Sequence, residues 1–250
     1  MTEHVIVQDA GHVRTIRMNR PEKKNALTLA MYDAMTIALT DANVNESVRC
    51  VLIAGVPGAF SAGNDIQDFL AATSGPAGLS RPAQGFLPAI VQCAKPLVAA
   101  VSGVAVGVGT TMLLHCDYVV AGSDARLATP FVALGLVPEA ASSLIAPRLM
   151  GHRRAFELLV MGHPLDAAQA RDVGIVNVVV APEDVDAVAL KSAQEIAALP
   201  PAAVAAARRL MRAPMEEVVS RLDEEGRVFG ERLQSAEARA AFETFLARKR

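Results

Sequence analysis

Residues 97–114 read LVAAVSGVAVGVGTTMLL, and their interpretation decides the fold. The 18 residues carry no charge, just enough for a helix to cross a bilayer. Three glycines, a serine and two threonines interrupt them, and Lys95-Pro96 and His115 bound them. A buried strand over 97–101, a turn over 103–109 and a buried helix to 114 fit that pattern better than one membrane span. The strand, LVAAV, is apolar at every position, as in a parallel sheet covered on both faces.

Further elements follow on either side. Residues 50–54 (CVLIA) form a second all-apolar strand, with others over 118–121 and 175–180. Residues 5–7 and 13–18 flank Asp9-Ala10-Gly11 as a hairpin. Thr28 caps a helix over 28–43, with Leu29, Met31, Met35, Ile37 and Leu39 near helical spacing. Asp65 opens a short helix to 72. The Gly-, Pro-, Ser- and Ala-rich residues 73–88 read as a loop beside a site, followed by a helix to 94. Helices fill 142–161 and 167–172, and everything after 182 reads helical. The spacing therefore predicts an α/β core over 1–195 and a helical region over 196–250. Val218, Val219, Leu222, Val228 and Phe229 give that region an apolar face, which packing on a neighbouring subunit would bury.

Composition narrows the function. The 250 residues are 52% apolar and 20% charged, which excludes a disordered chain. Area scaling buries about 70% of the surface, ample for a core without disulfides or metal. A net charge of −2 provides no basic field for nucleic acid or an anionic membrane. Cys50, Cys93 and Cys116 are odd in number and far apart, which fits neither a disulfide framework nor structural zinc. A reducing cytoplasmic location is expected, and the first residues show no signal-peptide core. The histidines (His4, His12, His115, His152, His163) lack metal-ligand spacing, so no metal is expected.

Two glycine-containing segments, AFSAGNDI over 59–66 and VSGVAVGVGTT over 101–111, each follow a buried strand and lead into a helix. Such turns aim backbone N–H groups at one point, and two facing each other make an oxyanion hole. Other glycine motifs fit less well. Gly107-Val108-Gly109 lacks the third glycine of a dinucleotide fingerprint, and no phosphate-binding GxxxxGK[ST] occurs. Residues 59–63 are one residue from the GxSxG nucleophile elbow, which leaves a hydrolase with Ser61 and His163 as a competing reading.

The chain resembles the crotonase (enoyl-CoA hydratase/isomerase) superfamily over nearly its whole length. Residues 19–27 (NRPEKKNAL), 60–66 (FSAGNDI) and 95–103 (KPLVAAVSG) carry the likeness, in order. The resemblance implies an α/β spiral of ββα units, a C-terminal helical trimerisation region and a CoA-thioester substrate, with no separate cofactor. It makes the backbone N–H groups of Ser61 and Val108 the oxyanion donors. It puts Ala26, Ala62, Gly63, Asn64, Asp65, Ile66 and Gly107 around the substrate, Asn64 and Asp65 shaping the pantetheine and adenine site. Lys23 or Lys24 meets a CoA phosphate or forms a solvated surface pair. A homotrimer or a dimer of trimers is implied, without nucleic acid or membrane insertion.

The likeness also bears on the reaction. Hydratases place water between two glutamates, and the matching positions here are Thr111 and Phe131, which line the pocket instead. Residues 129–143 (TPFVALGLVPEAASS) are similar to the segment of peroxisomal-type 3-enoyl-CoA isomerases whose catalytic glutamate maps onto Glu139. One carboxylate suffices to move a proton from C2 to C4, and an apolar surround raises its pKa toward neutrality. Glu139 also reads as a helix N-terminal charge, since it precedes a helical run. Four functions remain open at this point: an isomerase using Glu139, a hydratase or other enolate enzyme, a non-catalytic acyl-CoA-binding protein, and the serine hydrolase.

Overall fold

The structure, a computed structural model, describes residues 2–66, 81–212 and 214–247. Strands β1 (Val5–Ala10) and β2 (Val13–Met18) form the expected antiparallel hairpin. Helix α1 (Leu29–Val44) follows, and Thr28 caps it by accepting from Met31 N at 3.3 Å. From β3 to β8, successive strands alternate between two sheets. β3 (Cys50–Ala54), β5 (Leu97–Val101), β7 (Tyr118–Gly122) and β10 (Val178–Val180) extend the hairpin into a sheet ordered β1-β2-β3-β5-β7-β10. β4 (Ala59–Ser61), β6 (Val104–Val106), β8 (Arg126–Ala128) and β9 (Leu165–Asp166) form the second, ordered β4-β6-β8-β9. Among the strand pairs of the described residues, only β1–β2 and β8–β9 are antiparallel. The chain is thus the expected α/β spiral, with a strand added to each sheet per turn.

The all-apolar strands are explained by what covers each face. Successive side chains point to opposite faces. Val51, Ile53, Leu97, Ala99 and Val101 enter the main core with Met31, Met35 and Leu39 of α1. Cys50, Leu52, Ala54, Val98, Ala100 and Val120 face α7 (Val185–Ala198), which presents Val185, Ala189, Ala193 and Ala197. That four-residue spacing of small side chains makes one helical stripe that approaches the sheet closely.

Three local readings change. Residues 104–106, read as part of a turn, form β6; their ladder runs through the main chain, which glycines on either side did not prevent. Residues 81–88, read as loop, belong to helix α2 (Arg81–Val91), where packing on α1 overrides Gly85 and Pro88. The last strand is confined to β10 within the expected 175–180. Residues 67–80, which include most of the short helix from Asp65 and half of the 73–88 loop, lie outside the described residues.

The remaining helices are α3 (Val108–Thr111), α4 (Ser142–Met150), α5 (His152–Leu159), α6 (Ala167–Asp172), α8 (Pro201–Met211), α9 (Met215–Leu233) and α10 (Ala236–Ala247). The C-terminal apolar face finds its cover within the chain. Val218, Leu222 and Phe229 of α9 and Ala238 and Phe242 of α10 join the main core, so these side chains need no partner subunit to bury them. No helix among the described residues is long and apolar enough to cross a membrane.

Asn25 ties the exit of the hairpin to β4. It is fully buried at φ 54°, a left-handed conformation that asparagine tolerates. Its Nδ2 donates to Ala59 O (2.9 Å) and Phe60 O (3.1 Å), and its Oδ1 accepts from Arg20 N (2.7 Å). Asn25→Ala strips partners from two buried carbonyls and a backbone N–H. We expect a loss of about 3 kcal/mol, read as a lower urea midpoint with an unchanged slope.

Candidate active site

Two loops are laced together at the carboxyl end of β4. Ala62 N donates to Lys24 O (2.8 Å), Leu27 N to Gly63 O (2.7 Å) and Asp65 N to Leu27 O (2.9 Å). The Arg20 guanidinium spans them, donating to Ala26 O (2.9 Å) and Asp65 Oδ2 (2.7 Å). Asp65 is therefore held by Arg20, a partner that motif reading did not supply. Asn64 Oδ1 accepts from the buried Tyr32 hydroxyl. Ala62, Ala26 and Ile66 are partly buried, whereas Lys23 lies on the exposed 3-10 turn Pro21–Lys23.

The second loop comes from β6. Gly107 (φ 57°) starts α3; its N–H donates to Ala128 O (2.8 Å), and its carbonyl accepts from Thr110 N and Thr111 N. Val108 is thus the first residue of α3, and its backbone N–H has no partner within that helix. The two loops touch. A Cβ on Gly109 would sit 2.9 Å from Ser61 O, and one on Gly63 would sit 2.8 Å from Val106 O. Glycine is needed at both positions for the backbones to come this close.

Ser61 is not built as a nucleophile. It is fully buried; its hydroxyl donates to Asn25 O (2.9 Å) and accepts from Gly63 N (3.2 Å). His163, the base that a hydrolase would need, sits at the exposed surface 3.2 Å from Glu157 Oε1. The elbow reading fails on both residues. Among the described residues, no group of three or more His, Cys, Asp or Glu side chains could hold a metal ion.

Glu139 enters from a third segment. Its side chain is buried, with Thr111 Oγ1 donating to Oε1 at 3.3 Å. Burial raises its pKa to about 7; the Glu225 carboxylate adds to the rise and the Thr111 bond opposes it. Phe131 is buried beside Gly107, its Cε1 3.9 Å from where a Gly107 Cβ would lie. Thr111 links these groups: its hydroxyl reaches Glu139, and its N–H donates to the carbonyl of Gly107, the residue that Phe131 packs beside. A carboxyl group that titrates near neutrality there can take and return a proton without leaving its site.

The backbone around Glu139 is unusual. Ala140 (φ 61°) and Ala141 (φ 54°) are both left-handed, an arrangement that costs of order 1–3 kcal/mol per residue. Two side chains hold it. His115 Nε2 lies 2.7 Å from Ala140 O, and burial lowers the His115 pKa to about 4, so the ring is neutral and donates. Glu225 of α9 accepts from Ala141 N (2.6 Å) and Ser143 N (2.9 Å). The donors at the start of α4 thus go to Glu225, and Glu139 is not that helix's capping charge.

Sequence reasoning missed Asn25 as an anchor, and it missed Tyr32 and Glu225. A signal for Glu225 existed: it falls on the stripe Val218, Leu222, Glu225, Phe229, an acid in an apolar helical face. Such an acid needs buried donors.

Comparisons with known proteins agree with this architecture. Residues 8–250 match the family model described as enoyl-CoA hydratase/isomerase. Enoyl-CoA delta isomerase 2 of Rattus norvegicus is 33% identical over 88% of this chain, which spans 57% of that protein's length. A probable enoyl-CoA hydratase of Rhizobium meliloti (strain 1021) is 30% identical over 99% of this chain and 96% of its own. The crystal structure of an enoyl-CoA hydratase/isomerase from Pseudoalteromonas atlantica T6c superposes with a TM-score of 0.93, at 39% identity over 98% of both chains. With its two-sheet spiral and laced loops, the chain belongs to the enoyl-CoA hydratase/isomerase family and has the crotonase fold.

Proposed function

We propose that this protein isomerises 3-enoyl-CoA thioesters to 2-enoyl-CoA thioesters, with Glu139 as the single base. The observation that carries this reading is one buried carboxyl group, its pKa raised to about 7, beside the two converging loops. The thioester carbonyl accepts from the backbone N–H groups of Ser61 and Val108. Glu139 removes a proton from C2, and the electron pair spreads through the enolate into the C3–C4 double bond. The dienolate takes the same proton back at C4, and the double bond is left between C2 and C3. The atoms balance without water or a cofactor. Ala26, Ala62, Gly63, Asn64, Ile66 and Gly107 line the path of the thioester, and the exposed Lys23 meets a CoA phosphate. Asp65 acts through Arg20, by holding the loop. We also propose a homotrimer or a dimer of trimers.

Hydration is the second reading, favoured by the relative from Rhizobium meliloti that is named a probable enoyl-CoA hydratase. It needs a second acid. Among the described residues the other buried carboxylate is Glu225, and it is engaged with two backbone N–H groups.

A paired assay separates these readings. Purified protein is expected to convert a 3-enoyl-CoA and to leave a 2-enoyl-CoA unhydrated; efficient hydration would overturn the single-base reading, and silence in both arms would favour an acyl-CoA-binding role. Glu139→Gln is expected to lower kcat about 10²–10⁴-fold with little change in thioester binding. Ser61→Ala keeps the backbone donor and is expected to leave turnover little changed while costing about 2 kcal/mol of stability, through the two buried groups it unpairs. The base must be ionised, so kcat/KM is expected to rise about tenfold per pH unit below 7 and to level off above.

Stability is expected to run the other way. A carboxyl whose folded pKa (about 7) exceeds its ordinary 4.5 is protonated in the folded chain before it is in the unfolded one. Its contribution is complete below pH 4.5 and is lost as pH rises through 7. Glu139→Gln is therefore expected to stabilise the fold by up to about 3 kcal/mol at pH 8 and by little at pH 5, measured by urea denaturation.

A further inference from the structure

Glu225 lies 86 positions from Glu139 in the chain, on helix α9 of the C-terminal region, yet its carboxylate reaches the same turn. Helix α4 opens at Ala141, which has no side chain able to cap it, and its first turn holds no acid. The nearest acid in sequence to those donors is Glu139 itself. Left to local preference, a carboxylate there turns to the helix N-terminus. Glu225 already holds both accessible donors, at 2.6 Å from Ala141 N and 2.9 Å from Ser143 N. The remaining first-turn donor, Ser142 N, goes to the main-chain carbonyl of Glu139.

We propose that Glu225 is a positioning residue for Glu139: by occupying the start of α4 from outside, it leaves the Glu139 carboxylate to Thr111 and the substrate pocket, uncompensated by the helix. This inference rests on the reading of Glu139 as the base.

The groups around the pair agree. Facing Glu139 are Thr111 from α3, Tyr32 from α1 and Glu225 from α9, and none of these is a cation. His115 reaches the turn through Ala140 O and is neutral above its pKa of about 4. Facing Glu225 is Arg221, one turn earlier on α9, which donates to Ser143 Oγ (3.2 Å) and favours the charged form of Glu225. Burial raises the pKa of both acids, but Glu225 has two N–H bonds and a nearby cation, whereas Glu139 has one hydroxyl. The negative charge of the pair therefore settles on Glu225 first, and it disfavours a second charge on Glu139.

The test uses the full chain labelled with ¹³C at the glutamate carboxyl groups. The Glu139 resonance is assigned by its loss in Glu139→Gln, and its titration is followed by NMR in wild type, Glu225→Gln and Glu225→Asp. Glu225→Gln removes the charge and one acceptor; the Glu139 midpoint is expected to fall by about one pH unit, a tenfold change in its ionisation equilibrium. Glu225→Asp keeps the charge, and the midpoint is expected to stay near the wild-type value even where stability drops. In the isomerase assay, the acid limb of kcat/KM is expected to move with the NMR midpoint, with KM unchanged. An unmoved midpoint in folded Glu225→Gln, or an equal shift in both variants, overturns the proposal and leaves Glu225 a packing residue. A wild type inactive on 3-enoyl-CoA overturns the isomerase reading alone, because the titration needs no substrate.

Discussion

Between β4 and β6 there is no space for a methyl group. A Cβ on Gly109 would meet Ser61 O at 2.9 Å and Ser61 Cβ at 3.0 Å, and one on Gly63 would meet the Val106 carbonyl at 2.8 Å. This contact between two loop backbones governs the rest of the site. The parallel pairing of β4 with β6 brings the strand ends level, and glycine lets the turns beyond them close up. Once closed, the β6 turn starts α3 at a fixed place, and Thr111 emerges from it toward Glu139. The loop of residues 24–27 is then laced onto the β4 turn by three main-chain bonds and by Asn25.

The same geometry carries a cost, concentrated at one turn. Two consecutive left-handed alanines, a buried acid and the buried hydroxyl of Ser142, which finds no partner among the described residues, all lie within residues 139–142. Strain and unmet polar groups of this kind cluster where function sets the conformation. What offsets them comes from distant parts of the chain. His115 binds Ala140 O, Arg212 in turn donates to His115 O at 2.6 Å, and Glu225 takes two N–H groups. The helices after residue 200 therefore do more than cover a core. They supply Glu225, which binds the turn directly, and Arg212, which binds the main chain of His115.

Much of this architecture was legible in the residues. The strands at 50–54 and 97–101 stood out because burial on both faces requires apolar side chains at every position. Thr28 was legible as a cap because its hydroxyl is placed to accept the Met31 N–H. Glu139 stood out only through the similar TPFxxLGxxPExxSS segment; its local context by itself favoured a helix-capping charge. Strand β6 and the first turns of α2 were not legible. Glycine and proline there argue against regular structure, and only neighbouring strands or α1 make it stable. Ile37, at helical spacing with the core residues of α1, is 62% exposed, while Tyr32, Ala38 and Ala42 are buried. Spacing marked the helix but not the centre of its buried face.

By itself the sequence determined the family, the α/β class, the buried strands and the two glycine turns, because these depend on residue type at short separations. The tertiary structure alone decided which groups each acid contacts. Glu139 precedes a helix and would suit its positive end; Glu225 sits mid-helix and has no local reason to be buried. Folding exchanges those expectations. Glu225 takes the helix donors across 84 residues of chain separation from Ala141, and Glu139 is left in a desolvated pocket with one hydroxyl. A carboxylate's proton affinity depends on the donors and charges within a few ångströms, and in this chain those come from α1, α3 and α9, segments that only folding brings together.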